Sequence, residues 1–70
     1  MAQYTVIQML KKEFEAKRSK ALLTLELLTE HPAGIGDHST EDFYKNATEA
    51  ITNLAEADDV LETIERHFGE

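Results

Sequence analysis

The chain has 70 residues, 14 of them acidic and 7 basic, and its formal net charge is -7. It contains no Cys, which excludes disulfides and thiolate zinc sites, and one core of this size supplies only about 3–5 kcal/mol of stability. We therefore expect one domain, residues 1–70, that gains stability from a partner subunit, and the acidic balance disfavours direct binding to nucleic-acid phosphates.

The first predicted element is a helix over about residues 4–30, a stretch without Gly or Pro that is rich in good helix formers. One face repeats at alternating spacings of three and four residues. Its members are Ile7, Leu10, Phe14, Lys17, Ala21, Thr24 and Leu28. Lys17 and Thr24 interrupt this stripe: either they specify register, or the Lys stem extends out of the seam to water. Leucines widen the stripe between residues 21 and 28, so one neighbouring helix cannot cover it.

Residues 31–39 form the predicted hinge. Pro32 disfavours helical geometry at the residue before it, and Gly34 and Gly36 permit the backbone reversal that a hairpin needs. Ile35 is expected to fold back onto the leucines.

The hinge also invites two ligand hypotheses. His31, Asp37 and His38 are candidate metal ligands, and the segment 34–37 has the glycines of a phosphate-binding loop. However, neither helix carries Glu-x-x-His or His-x-x-x-His, and the loop follows a helix and lacks the Lys of a P-loop. We expect no metal, no cofactor and an ordinary helix-hairpin turn.

The second predicted helix covers about residues 40–68 and carries a regular apolar repeat with spacing 4-3-4-3-4-3-4. Its members are Phe43, Ala47, Ala50, Leu54, Ala57, Leu61, Ile64 and Phe68. Acidic residues in the first turn and basic residues in the last turn suit the helix dipole.

The two helices and the short connection predict an all-α, antiparallel hairpin, which dimerises into a four-helix bundle. The expected dimer interface lies in the leucine-rich half near the hinge. It consists of Leu22, Leu25, Leu28, Phe43, Ala47, Ala50 and Leu54. The hairpin model also places Lys11 and Lys12 beside Asp58 and Asp59, where exposed ion pairs favour this orientation.

The segment Glu30–Ser39, between a leucine-rich helix and a helix containing Ala-Glu-Ala-Asp-Asp, is similar to small uncharacterised proteins of T-even-like tailed phages, including marine ones. In those proteins a GIG-acidic-His hinge separates two helical segments, and the resemblance covers about residues 16–66. It implies a phage or marine-microbe origin and a host-takeover or accessory role, without assigning an activity.

The expected function is that of a non-enzymatic interaction or regulatory protein in the cytoplasm, which is that of the bacterial host if a phage encodes the chain. No apolar run approaches the about 18 residues of a membrane span, and no signal peptide is visible. The carboxylates lack an obvious cleft that would adapt them to catalysis, and Asp58, beside the seam, is expected to be salt-bridged.

The alternative function is an acidic mimic of nucleic acid that occupies a DNA- or RNA-binding protein. It requires six acidic groups to share one exposed face without being neutralised by Lys11 and Lys12. These groups are Glu49, Glu56, Asp58, Asp59, Glu62 and Glu65.

Overall fold

Two antiparallel helices form an elongated hairpin. The computed structural model describes residues 5–30 and 40–69. Helix α1 spans Thr5–Glu30 and helix α2 spans Thr40–Phe68. These bounds agree to within one residue with the predicted ranges of about 4–30 and 40–68. Leu28, near the end of α1, and Asn46, near the start of α2, line the same groove, which shows that the helices run antiparallel. The prediction of an all-α helical hairpin is confirmed.

The hairpin measures 50 × 15 × 15 Å. We call the end with Glu30 and Thr40 the hinge end and the end with Thr5 and Phe68 the open end. The predicted hinge residues Pro32, Gly34, Ile35 and Gly36, and the hinge residues proposed as metal ligands, lie outside the described residues.

Helix α2 has favourable charges at both of its ends. Glu41 and Asp42 lie in its first turn, and Arg66 and His67 lie in its last turn, where each sign opposes the partial charge of the helix terminus. At the C-terminus the amide of Gly69 donates a hydrogen bond of 2.9 Å to the carbonyl oxygen of Glu65, which extends the helical bonding by one residue. Helix α1 has no acidic residue in its first turn and no basic residue in its last turn.

The core between the helices is built mainly from alanine. The buried apolar residues of the described chain are Ala21, Leu28, Ala50, Ala57 and Ile64. Among the described residues no large side chain is fully buried. Alanine lets helix axes approach closely, but it removes only one methyl group from water, and each buried carbon is worth about 0.8 kcal/mol. The hairpin therefore packs tightly while burying little apolar surface.

The seam of α2 follows the predicted repeat. Phe43, Ala47, Leu54 and Leu61 are half-buried, and Ala50, Ala57 and Ile64 are buried. Phe68 departs from this pattern and is exposed, because packing at the last residue of a helix is one-sided.

The seam of α1 keeps most of the predicted stripe and adds a second phase to it. The stripe residues that are buried or half-buried are Ile7, Phe14, Ala21, Thr24 and Leu28, whereas Leu10 and Lys17 are exposed. Arg18 and Leu25 are also half-buried, and they belong to the second phase. The positions shared by both phases, such as Phe14 and Ala21, fit a repeat of either phase, so the apolar spacing alone does not choose between them. The structure adds Leu25 to the seam, with the aliphatic stem of Arg18.

Candidate interaction surface

A cross-helix ion pair identifies one side of the hairpin. The Nη1 atom of Arg18 lies 3.9 Å from the Oδ1 atom of Asp58, and both side chains remain about half exposed. The expectation that Asp58 is salt-bridged is confirmed. Its partner is Arg18, so the prediction that Lys11 and Lys12 lie beside it was wrong.

The geometry of helical side chains accounts for this pairing. Side chains lean toward the N-terminus of their own helix, so in an antiparallel pair the side chains of α1 and α2 lean in opposite directions. Arg18 leans toward the open end and Asp58 leans toward the hinge end, so their charged groups meet although their backbones are offset. A register drawn from backbone positions alone misses this offset.

Two stripes of side chains flank the ion pair on the same side. On α1, Arg18, Leu22, Leu25 and Thr29 follow spacing 4-3-4. On α2 the stripe has spacing 3-4-3-4 and consists of Tyr44, Ala47, Ile51, Leu54 and Asp58. Residues at these spacings share a helix face, and the ion pair shows that the two faces border the same groove. We call this surface, defined by the two stripes, the apolar side.

The apolar side exposes large side chains to solvent. Leu22 is 50% exposed, Ile51 is 51% exposed and Tyr44 is 67% exposed. Leu25, Ala47 and Leu54 are half-buried at its floor. The charged pair interrupts this apolar surface about midway along the hairpin, and the exposed leucine, isoleucine and tyrosine side chains of the two stripes all belong to the half near the hinge end.

The opposite side of the hairpin is polar over the same length. A shallow groove of about 430 Å³ there is lined by Lys17, Lys20, Ala21, Thr24, Leu28, Asn46, Glu49, Ala50 and Asn53. Its walls carry both signs of charge and two amides, while its floor is the alanine contact of the core. We call this surface the polar side.

Lys17, which borders the polar side, is held along α1. Its Nζ lies 4.6 Å from the centroid of the Phe14 ring and 3.7 Å from Oε2 of Glu13. This arrangement agrees with the alternative in which the Lys stem extends out of the seam and its ammonium group stays in water.

The predicted interface residues divide into two groups. Leu28 and Ala50 are buried inside the hairpin itself, so they have no surface left for a second chain. Leu22 is exposed, and Leu25, Ala47 and Leu54 are half-buried on the apolar side. Phe43 is half-buried at the hinge end of the α2 seam.

Sequence reasoning did not assign Ile51 and Tyr44 to the interface. Each of them directly follows a seam residue in the sequence: Tyr44 follows Phe43, and Ile51 follows Ala50. They therefore lie on the flank of α2, beside the seam and not in its middle. A search for a second 3-4 repeat offset from the first would have found them, because a helix in a four-helix bundle has two neighbours and needs two adjoining apolar stripes.

A third apolar surface lies on the outer face of α1, away from α2. Met9, Leu23 and Leu27 are each about half exposed or more. Met9 and Leu23 are separated by fourteen positions, four helical turns, which places them above one another along the helix. The other exposed large apolar residues of the described chain are Val6, Leu10 and Phe68, near the open end.

The acidic groups of α2 are exposed but do not share one face. Glu49 borders the polar side, and Glu56 lies two turns further along the same face. Asp58, Glu62 and Glu65 follow spacing 4-3 on the flank that carries the apolar side. Asp58 is paired with Arg18, and Oε1 of Glu62 accepts a hydrogen bond of 2.8 Å from Nη2 of Arg66.

The described residues contain no group of three or more His, Cys, Asp or Glu side chains placed to hold a metal ion. Within the same residues every buried side-chain nitrogen or oxygen has a hydrogen-bond partner. Neither described helix has a stretch long and apolar enough to cross a membrane.

No protein-family model matches the sequence, and neither a curated protein nor a solved structure matches it. The functional inference therefore depends on the surfaces that the two helices build.

Proposed function

We propose that the chain is a small, non-enzymatic interaction protein that works as a homodimer, in which two hairpins form a four-helix bundle and serve as an accessory or regulatory partner of another protein. The observation that carries this proposal is that small apolar side chains are buried between the helices while larger ones are exposed, the reverse of an ordinary core. Alanines occupy the contact between the helices, while Leu22 and Ile51 stand half exposed beside it.

The surface area of the chain supports a covering partner. The accessible surface is 5703 Å². A compact monomer of 7.9 kDa has about 4400 Å², so the hairpin exposes about 1300 Å² more than a globular protein of its mass. One partner in an interface of standard size buries about 800 Å². The excess is therefore large enough for one such interface.

The outer face of α1 supplies a surface for a second, different protein. Met9, Leu23 and Leu27 lie away from α2 and also away from the apolar side, so a dimer formed on the apolar side leaves them accessible. The proposal includes the accessory role that the resemblance of the hinge segment to tailed-phage proteins implies, in the cytoplasm of a bacterial host.

The acidic-mimic alternative has less physical support. A mimic needs its negative groups on one face, whereas those of α2 are distributed around the helix and Asp58 and Glu62 are each paired with an arginine.

The proposal is tested by two matched substitutions in neighbouring residues. Leu22 lies on the apolar side and Leu23 on the outer face, and their exposed fractions are 50% and 55%. Leu→Gln keeps the charge and a high helix propensity at either position. We expect sedimentation equilibrium at micromolar concentration to give a dimer for the wild type and L23Q, and at least tenfold weaker self-association for L22Q.

A folded wild-type monomer at these concentrations would contradict the proposal. Equal weakening by L22Q and L23Q would show that the dimer does not use the apolar side.

A further inference from the structure

The dimer proposed above has two possible topologies, and the structure distinguishes them. If the two-fold axis runs along the helices, both hinge ends lie together and α1 of one copy packs over α2 of the other. If the axis is perpendicular to the helices, the hinge ends lie apart. Helix α1 then packs over α1 of the second copy, and α2 packs over α2. We propose that a second copy binds the apolar side with its hinge end beside the hinge end of the first. This inference rests on the proposed function and specifies the geometry of its interface.

The first argument is the position of the apolar side chains along the hairpin. The exposed leucine, isoleucine and tyrosine side chains occupy the hinge-end half of the apolar side, and the Arg18–Asp58 pair marks their limit. Beyond that limit the same face is mixed: it carries the charges of Lys11, Glu15 and Glu65, with Leu61 half-buried and Phe68 at the open end. With the hinge ends together, the two apolar halves cover each other while the helices overlap along their full length. With the hinge ends apart, full overlap places the apolar half of each copy against the mixed half of the other.

The second argument is the unequal charge of the helices. Helix α1 holds five basic and four acidic residues, a net charge of +1, whereas α2 holds two basic and eight acidic residues, a net charge of -6. Packed helices lie about 8–10 Å apart, a distance at which screening by physiological salt is incomplete. The arrangement with the hinge ends apart places two helices of charge -6 in contact. The arrangement with the hinge ends together places each α2 over α1 of the other copy, which has a net charge of +1.

The ion pair gives the same answer at the level of single groups. Arg18 and Asp58 meet at one height along the hairpin. A two-fold axis parallel to the helices preserves heights, so Asp58 of the second copy comes to the level of Arg18 of the first. Two arginines and two aspartates then alternate around the axis at the boundary of the apolar half. An axis across the helices at this height instead brings Arg18 over Arg18 and Asp58 over Asp58, so that like charges face each other.

The topology is tested with single cysteines, which is straightforward because the chain has none of its own. Leu22→Cys and Ile51→Cys proteins, one of them carrying a mass tag, are mixed, refolded together and oxidised. Leu22 and Ile51 face each other between copies when the hinge ends lie together, so we expect the mixed disulfide as the main product. Leu23→Cys is the control, because its neighbouring position on the outer face predicts no cross-link.

A distance measurement provides an independent readout. Spin labels on Gln8→Cys lie near the open end of each copy. With the hinge ends together their backbones are separated by about 15 Å across the bundle, whereas with the hinge ends apart and the helices fully overlapped they are separated by about 30 Å along it, from 1.5 Å per residue. The short distance supports the proposal.

Two results would overturn it, and they are distinguishable from each other. The long distance, together with failure of the Leu22→Cys and Ile51→Cys proteins to form the mixed disulfide, would exclude this topology while leaving the homodimer intact. A monomeric mass with no disulfide product would exclude the proposed function and the topology together.

Discussion

At the scale of single residues, alanine determines how the two helices meet. Ala57 is fully buried and Ala21 and Ala50 are nearly so, although a methyl group is the smallest side chain that can fill a contact. Close contact at these positions leaves no room for a longer side chain. Leu22, Leu23 and Leu27, which have more apolar surface to bury, lie outside this contact and are about half exposed. Stability gained inside one hairpin is accordingly small, and the larger apolar groups remain available to another chain.

We predict that Ala57→Leu destabilises the protein because three additional carbons must enter a closed helix contact. Overpacking of this kind costs about 1–3 kcal/mol. Urea denaturation followed by circular dichroism at 222 nm, at one fixed protein concentration, measures the change. Ala55→Leu on the exposed face of the same helix is the control and should alter stability by under about 0.5 kcal/mol. Equal effects at both positions would contradict the close contact at Ala57.

At the scale of elements, the two helices differ in how far they are stabilised locally. The terminal charges of α2 oppose its dipole, and the Glu62–Arg66 pair adds an i,i+4 contact. Helix α1 has no charges of this kind in its terminal turns. Its helicity depends more on the packing of its apolar faces, which is consistent with apolar side chains on several of them.

We predict that Glu41→Lys destabilises the protein more than Glu56→Lys does. Both substitutions change the net charge equally and both positions are exposed, but only Glu41 lies in the first turn of α2. The dipole contribution of one terminal charge is about 0.3–1 kcal/mol, and reversing the charge removes it and adds repulsion. Thermal unfolding in low salt should show the difference, and added salt should reduce it. A larger effect at Glu56 would exclude the dipole as the cause.

The two helices were readily predicted from the sequence. The rotation of α1 about its own axis, which decides which of its residues face α2, was not. Pro32 and the glycines of residues 31–39 separate two breaker-free stretches, and every position of the repeat from Phe43 to Ile64 is apolar. The repeat in α1 has two phases that share Phe14 and Ala21, and choosing between them requires the packing of α2. The interface positions Ile51 and Tyr44 depend on that choice, because a flank is defined only after the seam.

At the scale of the whole molecule, self-association and folding should be linked. A hairpin with an alanine core and an exposed leucine edge gains stability when a second copy covers that edge, and mass action then makes the stability depend on concentration. In the proposed dimer the charge difference between the helices favours the topology in which α2 faces α1 of the second copy.

We predict that the midpoint of thermal unfolding rises with protein concentration. Between 1 and 100 µM a two-state dimer should gain several degrees, because the unfolded state is monomeric and dilution favours it. Circular dichroism melts at several concentrations measure the midpoint, and L22Q is the control that should lose the dependence. A wild-type midpoint independent of concentration would show that the single hairpin is the folding unit.

The elongated shape of the hairpin has a consequence for its apparent size in solution. Its radius of gyration is 15.6 Å. A compact domain of 70 residues has a radius of gyration of about 11 Å, and 15.6 Å corresponds to a compact domain of about 170 residues. A single copy therefore scatters X-rays at small angles like a larger globular protein, and it diffuses somewhat more slowly than a compact domain of its mass. A second copy laid alongside thickens the rod without lengthening it, so dimerisation changes the hydrodynamic radius much less than it changes the mass.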